Sequence, residues 1–399
     1  MVMRIPCLLA VCAAIVLTAE CGPANATLKT CGGPLVQAHR AGCGEYQDNS
    51  VGGLKWCLAK GVRGLEFDVR FTKDRHLVIM HDNHIDRTTN GKGWAEDKTL
   101  EELRKFRLNM CGEPVPTLEE MLEPLHGRRD FFAEVEMKVL PCPRYPRERI
   151  AEYCVQLYST VTNRLEPGTY IFTCFDIRTL RIMRATVPSA PLGYIIVEKM
   201  SEKHLDEAKA LNCCSIAPIE VSKELVDRAH AEGLSVCMWM GDTIEDYARF
   251  KALGADRVTS DYPVLLTRAA SGVSKKVVAV GADVLRKMLQ PSLSERNRTA
   301  LKELGRRYSC VAVGLGESDG SVVDGVRPLG FDVAACQGNY HATAVEWARR
   351  HGCDADDVVY VGDDFLDDRA GGSVRKNGMD GIVLTNHERF WYSVRILTN

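Results

Sequence analysis

Between residues 34 and 263, short apolar runs alternate with longer segments of helical character. The runs fall at 35–38, 64–69, 77–80, 131–136, 170–172, 234–239 and 257–259. Near-continuous apolar runs of this length suit strands buried on both faces, as in a parallel sheet covered by helices. Residues 222–232, opened by Ser222 as a cap, predict one of those helices. The alternation predicts an α/β fold. Its length suits a (β/α)8 TIM barrel over residues 27–265, although a doubly wound sheet fits the pattern alone. Residues 266–276 read as a linker, with Ser271-Gly272 and Lys275-Lys276. A second, smaller α/β unit follows over 277–399. Its strand runs lie at 277–280 and 358–361, and its helices at about 293–306 and 342–350.

The first residues have a different pattern. Arg4, an apolar run over 5–17 and the small residues Ala24-Asn25-Ala26 predict a signal peptide spanning 1–26. The mature chain is then expected to be secreted, lumenal or periplasmic. The run is too short for a stable membrane span, and Glu20 prevents its extension. Three of the 16 cysteines precede the proposed cut, which leaves an odd number and at least one unpaired thiol or intermolecular bond. No Cys-x-x-Cys pair suggests zinc. Asn297-Arg298-Thr299 is a glycosylation acceptor motif. Net charge is only −2, so no general affinity for nucleic acid or an anionic membrane is expected, and any charge-based chemistry is local.

That local chemistry sits at strand ends. His39-Arg40 follows the first run, Glu66-x-Asp68 ends the second, His81-Asp82 follows the third, and Glu136-x-Lys138 ends the fourth. Barrel active sites form at such ends. Two residues apart on a strand, Glu66 and Asp68 share a face and repel unless a cation neutralises them. Glu136 from a neighbouring strand would complete an all-oxygen site that favours Ca²⁺ or Mg²⁺. His39 and His81 suit acid–base work, because imidazole titrates near pH ~6.5. Arg40 and Lys138 can clamp a phosphate, the first bidentately and the second as a point charge. Metal site, acid–base pair and cationic clamp together describe phosphoryl transfer.

These residues lie within longer motifs: Gln37-Ala38-His39-Arg40-Ala41-Gly42, Gln47-Asp48-Asn49-Ser50, Gly64-Leu65-Glu66-Phe67-Asp68-Val69, Thr72-Lys73-Asp74, His81-Asp82 and Asp86-Arg87-Thr88-Thr89-Asn90-Gly91. Val115-Pro116-Thr117-Leu118, Glu136-Met137-Lys138, Leu253-Gly254-Ala255-Asp256 and Ser260-Asp261-Tyr262-Pro263 come after them in order. The set resembles the glycerophosphodiester phosphodiesterase family over about residues 33–265. The resemblance implies Glu66, Asp68 and Glu136 as ligands of Ca²⁺ or Mg²⁺, and His39 and His81 as acid and base. It implies Arg40 and Lys138 on the phosphate, Trp239 at the substrate mouth, and a capping insertion over about 83–113. The implied reaction is hydrolysis of a small glycerophosphodiester to glycerol 3-phosphate and an alcohol. Phospholipase D-like action on a lysophospholipid, or a secreted binding protein that has lost activity, are the alternatives. Polar residues at Lys92, Glu96, Asp97 and Lys98 favour the soluble diester.

The chain departs from the family pattern at four points. Ala41 stands where the family usually has Gly, and its methyl is expected close to the metal and phosphate. Gln47-Asp48-Asn49-Ser50 carries a shortened acid in place of Pro-Glu-Asn-Thr. Cys174 replaces Ser, and Met240 replaces Thr. In the second unit, Asp363 and Asp367 resemble the acidic motif of haloacid-dehalogenase-type phosphatases, nearest the trehalose-phosphate phosphatase branch. That chemistry needs a nucleophilic Asp where the chain has Gly281, and glycine forms no phospho-aspartyl intermediate. A degenerate domain kept for packing or binding is expected.

Overall fold

The structure, a computed structural model, describes residues 33–273, 275–289, 294–315, 319–334, 340–362, 380–383 and 394–398. The expected signal peptide and the Asp363/Asp367 pair lie outside the described residues.

Strands β1 (Leu35–Ala38), β2 (Gly64–Phe71), β4 (Phe132–Met137), β5 (Tyr170–Cys174), β6 (Leu192–Lys199), β7 (Ser215–Glu220), β8 (Ser235–Met238) and β9 (Arg257–Ser260) pair in parallel around a ring. Pairing of β1 with both β2 and β9 closes it. Every residue of β1, β2, β4, β5 and β9 is buried, as strands enclosed by helices require. The barrel is therefore the architecture, and the doubly wound alternative is excluded for this part of the chain. Helices return the chain between strands, each opened by local chemistry. Asp176 accepts from Arg178 N and Thr179 N, and Ser222 accepts from Leu225 N, the cap its position predicts.

Two strands, β6 and β7, are absent from the sequence reading. β6 is exposed over its last three residues, and β7 contains Pro218, which usually argues against a strand interior. A third point is a correction. The run at 77–80 gives β3 (Leu77–Ile79), which pairs antiparallel with β2 and is not a barrel strand. It folds back along β2, and Met80 N bonds Asp68 O at 3.0 Å. His81 thus reaches the mouth on a hairpin rather than on a barrel strand of its own.

The insertion after β3 has a small core of its own, from Met80, Ile85, Ala95, Leu103, Leu108 and Val115. Thr99 opens a short helix there with a capping box to Glu102. At the opposite, N-terminal end of the barrel, Arg257 of β9 crosses the interior to Glu134 of β4.

The segment expected to link the two units begins inside a helix, Pro263–Ala270, and Glu45 accepts that helix's Val264 and Leu265 backbone N–H groups at 2.8 and 2.9 Å. Beyond it, β10 (Val277–Gly281), β11 (Ser309–Val313), β12 (Phe331–Ala334), β13 (Val358–Gly362) and β14 (Asp380–Val383) form a parallel sheet in the order β12-β11-β10-β13-β14. Ion pairs join it to the barrel. Buried Asp380 meets Lys60 of the barrel at 2.8 Å, and Arg268 pairs with Asp356 at 2.8 Å; Lys275, just before β10, also meets Asp380 at 2.6 Å. Asn297, the expected glycosylation site, is buried in the first turn of helix Glu295–Arg307, so the folded chain does not present it. No helix among the described residues is long and apolar enough to cross a membrane.

Candidate active site

The turn after β1 is built from an uncommon backbone. Arg40 and Ala41 both hold left-handed φ angles, 48° and 57°, followed by Gly42 at 116°. Such angles cost a non-glycine residue roughly 1–2 kcal/mol each. The turn aims Arg40 N at Glu66 Oε2, 2.7 Å away. The methyl of Ala41 is fully buried and belongs to the apolar core. What glycine supplies at that position is backbone freedom.

Glu66 and Asp68 on β2, with Glu136 on β4, bring carboxylate oxygens within 4.8 Å of one another. The register explains the meeting, since Asp68 lies directly beside Glu136 across the β2–β4 pair. Burial, with the charges of Asp68 and Glu136, pushes the Glu66 carboxyl well above its usual range. Burial also favours the neutral form of Asp68, but Lys138, His81 and Arg40 outweigh it and hold that carboxyl low. Glu66 Oε1 and Asp68 Oδ1 are buried without a hydrogen-bond partner, although the Lys138 ammonium lies 3.1 Å from the latter. Mutually repelling, under-bonded carboxylate oxygens are the donor set a hard divalent cation fits.

Lys138 is not free above the site. Its ammonium sits 2.5 Å from Glu136 Oε1, as well as against Asp68. Arg40 is looser: its Nε is buried with no hydrogen-bond partner, 4.0 Å from Asp68, and its Nη1 is 3.7 Å from Asp48. An under-bonded guanidinium beside the triad suits an anionic ligand.

Each histidine is held through Nδ1 by a carboxylate: His39 by Asp261 at 2.6 Å, and His81 by Asp82 at 2.7 Å. An ionised carboxylate accepts the Nδ1 proton, which leaves Nε2 as the basic nitrogen. Burial lowers the His81 pKa, against the pull of Asp82 and Asp68.

The sequence reading missed the residues that hold these groups in place. Asp261, part of the closing motif, orients His39. Asn49 donates to Asp68 Oδ2 at 2.7 Å and accepts from Asp68 N at 3.2 Å. Arg70 donates twice to the backbone oxygen of His81, at 3.1 and 2.6 Å, and once each to Lys138 O and to Glu96 of the insertion. Arg87 ties Asp82 to Asp48, at 2.5 and 2.9 Å, so the shortened acid joins the two loops. Asn49 and Asp261 had a signal, being polar residues inside quoted motifs. Arg70 had none, because a lone Arg at a strand end usually points to solvent.

Trp239 follows β8 and donates to Ala217 O at 2.9 Å, which fixes its ring at the barrel end. A cavity of about 350 Å³ opens beside His81 and Lys138, lined further by Arg70, Trp94, Tyr145 and Phe175. Cys174, in place of the usual Ser, donates its thiol to Met137 O at 3.3 Å.

Ionisable groups thus converge at the C-terminal mouth, the arrangement of a barrel enzyme. The glycerophosphoryl diester phosphodiesterase family matches residues 39–265, more than half of the chain, and the chain belongs to that family. It is 32% identical over 244 residues to a glycerophosphodiester phosphodiesterase of Caldanaerobacter subterraneus subsp. tengcongensis, covering 58% of this chain and 96% of that one. It is 25% identical over 259 residues to a glycerophosphodiester phosphodiesterase of Bacillus subtilis, covering 60% of this chain and 87% of that one. Among solved structures it resembles an Oleispira antarctica phosphodiesterase in complex with the product sn-glycerol-3-phosphate. The TM-score is 0.54 at 25% identity, covering 60% of this chain and 97% of that chain.

Proposed function

We propose that the chain hydrolyses glycerophosphodiesters to glycerol 3-phosphate and an alcohol, using Glu66, Asp68 and Glu136 to hold a divalent cation, Ca²⁺ or Mg²⁺. The observation that carries this reading is the convergence of three buried carboxylates, two of them with unbonded oxygens, between two histidines that are each oriented by a carboxylate. When bound, the cation supplies charge stabilisation to the phosphate oxygens. Arg40 binds the phosphate and Lys138 balances the carboxylates beside it. His81, held neutral by burial, takes the proton of the attacking oxygen, which is either water or the substrate's own glycerol hydroxyl. The new O–P bond forms as the P–O bond to the alcohol breaks, and His39, backed by Asp261, delivers a proton to the departing oxygen. Attack by the glycerol hydroxyl leaves a cyclic phosphate, which water then opens.

A second reading, action on a lysophospholipid, draws support from one feature. Phe175, Val197 and Ile219 are exposed apolar residues at or near the ends of β5, β6 and β7. For the second unit, the parallel order with β10 at its centre supports a Rossmann-like, haloacid-dehalogenase-like ancestry. The site of the missing nucleophile is filled, since a Cβ at Gly281 would lie 2.4 Å from the Tyr360 hydroxyl. That supports a non-catalytic domain. Export directed by residues 1–26 belongs to the same proposal.

The test is release of glycerol 3-phosphate from glycerophosphocholine, with lysophosphatidylcholine in parallel, in Ca²⁺ or Mg²⁺ and then in chelator. Turnover that requires the cation and disappears in both H39A and H81A is the expected result. Turnover that survives chelator, or survives in both variants, rejects the mechanism. Preference for the acylated substrate selects the second reading.

A further inference from the structure

The second unit reaches the active site through the last described helix, Arg395–Thr398. That helix is anchored in the C-terminal unit, where Val394, Ile396 and Leu397 are buried and Tyr308 donates to Leu397 O at 2.9 Å. Arg395 points the other way and pairs with Asp242, in the loop after β8 of the barrel. The carboxylate of Asp242 is fully buried. Its Oδ1 accepts from Asp261 N at 2.7 Å and from Ser260 Oγ at 2.9 Å. Asp261 Oδ1 in turn holds His39 Nδ1 at 2.6 Å. The chain of contacts runs Arg395, Asp242, Asp261, His39 without a gap.

We infer that Arg395 is a positioning residue for His39, and that the C-terminal unit is kept because its last helix completes the barrel's acid–base machinery. Asp242 is a buried carboxylate that also feels the charge of Asp261, an arrangement that is costly unless a cation balances it. Burial, and then the charge of Asp261, push the Asp242 carboxyl up to about 6, against the pull of Arg395. Without the guanidinium, the Asp242 carboxyl is pushed further toward its neutral, protonated form, and the charge-assisted hold on Asp261 N and Ser260 Oγ weakens. The loop that carries Asp261 then relaxes, and His39 loses the fixed orientation that proton transfer needs. Small misplacements of this kind cost up to about a hundredfold in rate. None of the metal carboxylates, which stand on β2 and β4, belongs to this chain of contacts, and their hold on the ion is expected to change little.

The inference about catalysis rests on the diesterase reading, so its test carries one readout that does not. In the full-length protein, R395A is compared with wild type, R395K, D242N and the R395A/D242N double variant. The expected result is a fall in kcat of about tenfold to a hundredfold in R395A, with KM and the calorimetric Kd for Ca²⁺ unchanged. R395K should recover part of the rate. The double variant should be no worse than the poorer single variant, because both act on one contact. Independently of turnover, the downfield imidazole N–H signal of the His39–Asp261 hydrogen bond, assigned by its loss in H39A, should shift or broaden in R395A. A folded R395A with kcat within twofold of wild type and an unmoved imidazole signal overturns the inference. Should R395A fail to fold, D242N read by the same two measurements decides. If the wild type turns over no diester, the functional reading fails while the imidazole signal still tests the coupling.

Discussion

Glu134 and Glu136 are neighbours on one face of β4, both buried inside the barrel, yet they stand in opposite situations. At the N-terminal end, Glu134 meets Arg257, which also donates to Ser215 and Ser235 at 2.7 and 3.1 Å. One acid faces one base, and the guanidinium's remaining donors find hydroxyls. At the C-terminal end, Glu136 is one of three acids, and Glu66 Oε1 and Asp68 Oδ1 find no hydrogen bond. Burial of charge alone therefore does not mark a functional site. What marks it is an excess of acids over bases, since Lys138 faces both Glu136 and Asp68 while the Glu66 carboxyl is pushed well above its usual range. The barrel spends one end on closure and the other on chemistry.

Exchanging the carboxylates at each end tests the contrast most strongly. E66Q should lose roughly a thousandfold or more of turnover, because several kcal/mol of charge stabilisation go with the cation. In the absence of divalent ions, the same variant should unfold at a higher temperature than wild type, since it removes a repelling acid. E134Q should behave in reverse. It should lose stability, by up to about 3–5 kcal/mol, because it leaves Arg257 buried without its counter-charge. Its kcat per folded molecule should stay within twofold of wild type. Denaturant unfolding beside steady-state kinetics reads both, and an E134Q as inactive as E66Q would erase the distinction.

A smaller effect is expected from the cation itself. Saturating Ca²⁺ or Mg²⁺ at about a hundred times Kd should stabilise wild type and E134Q by about 2.7 kcal/mol, and E66Q by much less. Calorimetric scans with and without chelator measure this. Equal stabilisation of E66Q would place the ion elsewhere.

The smallest effect is expected at Ala41. A41G relieves a left-handed alanine but removes a buried methyl, and the two terms are each about 1 kcal/mol. Stability should change by less than about 1 kcal/mol and kcat by less than threefold. A large gain in kcat would show that the alanine had been restraining the site after all.

The sequence carried the barrel and its chemistry because both are written locally. Apolar runs covered on two faces declare buried parallel strands, and alternation on β2 places Glu66 and Asp68 on one face whatever the rest of the chain does. The end-of-strand positions of His39, Arg40, Glu136 and Lys138 were legible for the same reason, and the order of motifs tied them to one family. What eluded the sequence depends on residues far apart in the chain. β6 and β7 are strands by virtue of the neighbours that pair with them, not of their composition. The run that forms β3 looked like a barrel strand, and only its antiparallel pairing with β2 decided otherwise. The holders of the site are long-range partners: Asp261 lies 222 residues from His39, and Arg395 lies 153 from Asp242. Which acids find a base and which are left repelling was likewise settled in three dimensions, because pairing is fixed by where the closed ring of strands sets each side chain. Local pattern thus determined the kinds of groups present and the face each occupies, and tertiary closure determined their partners.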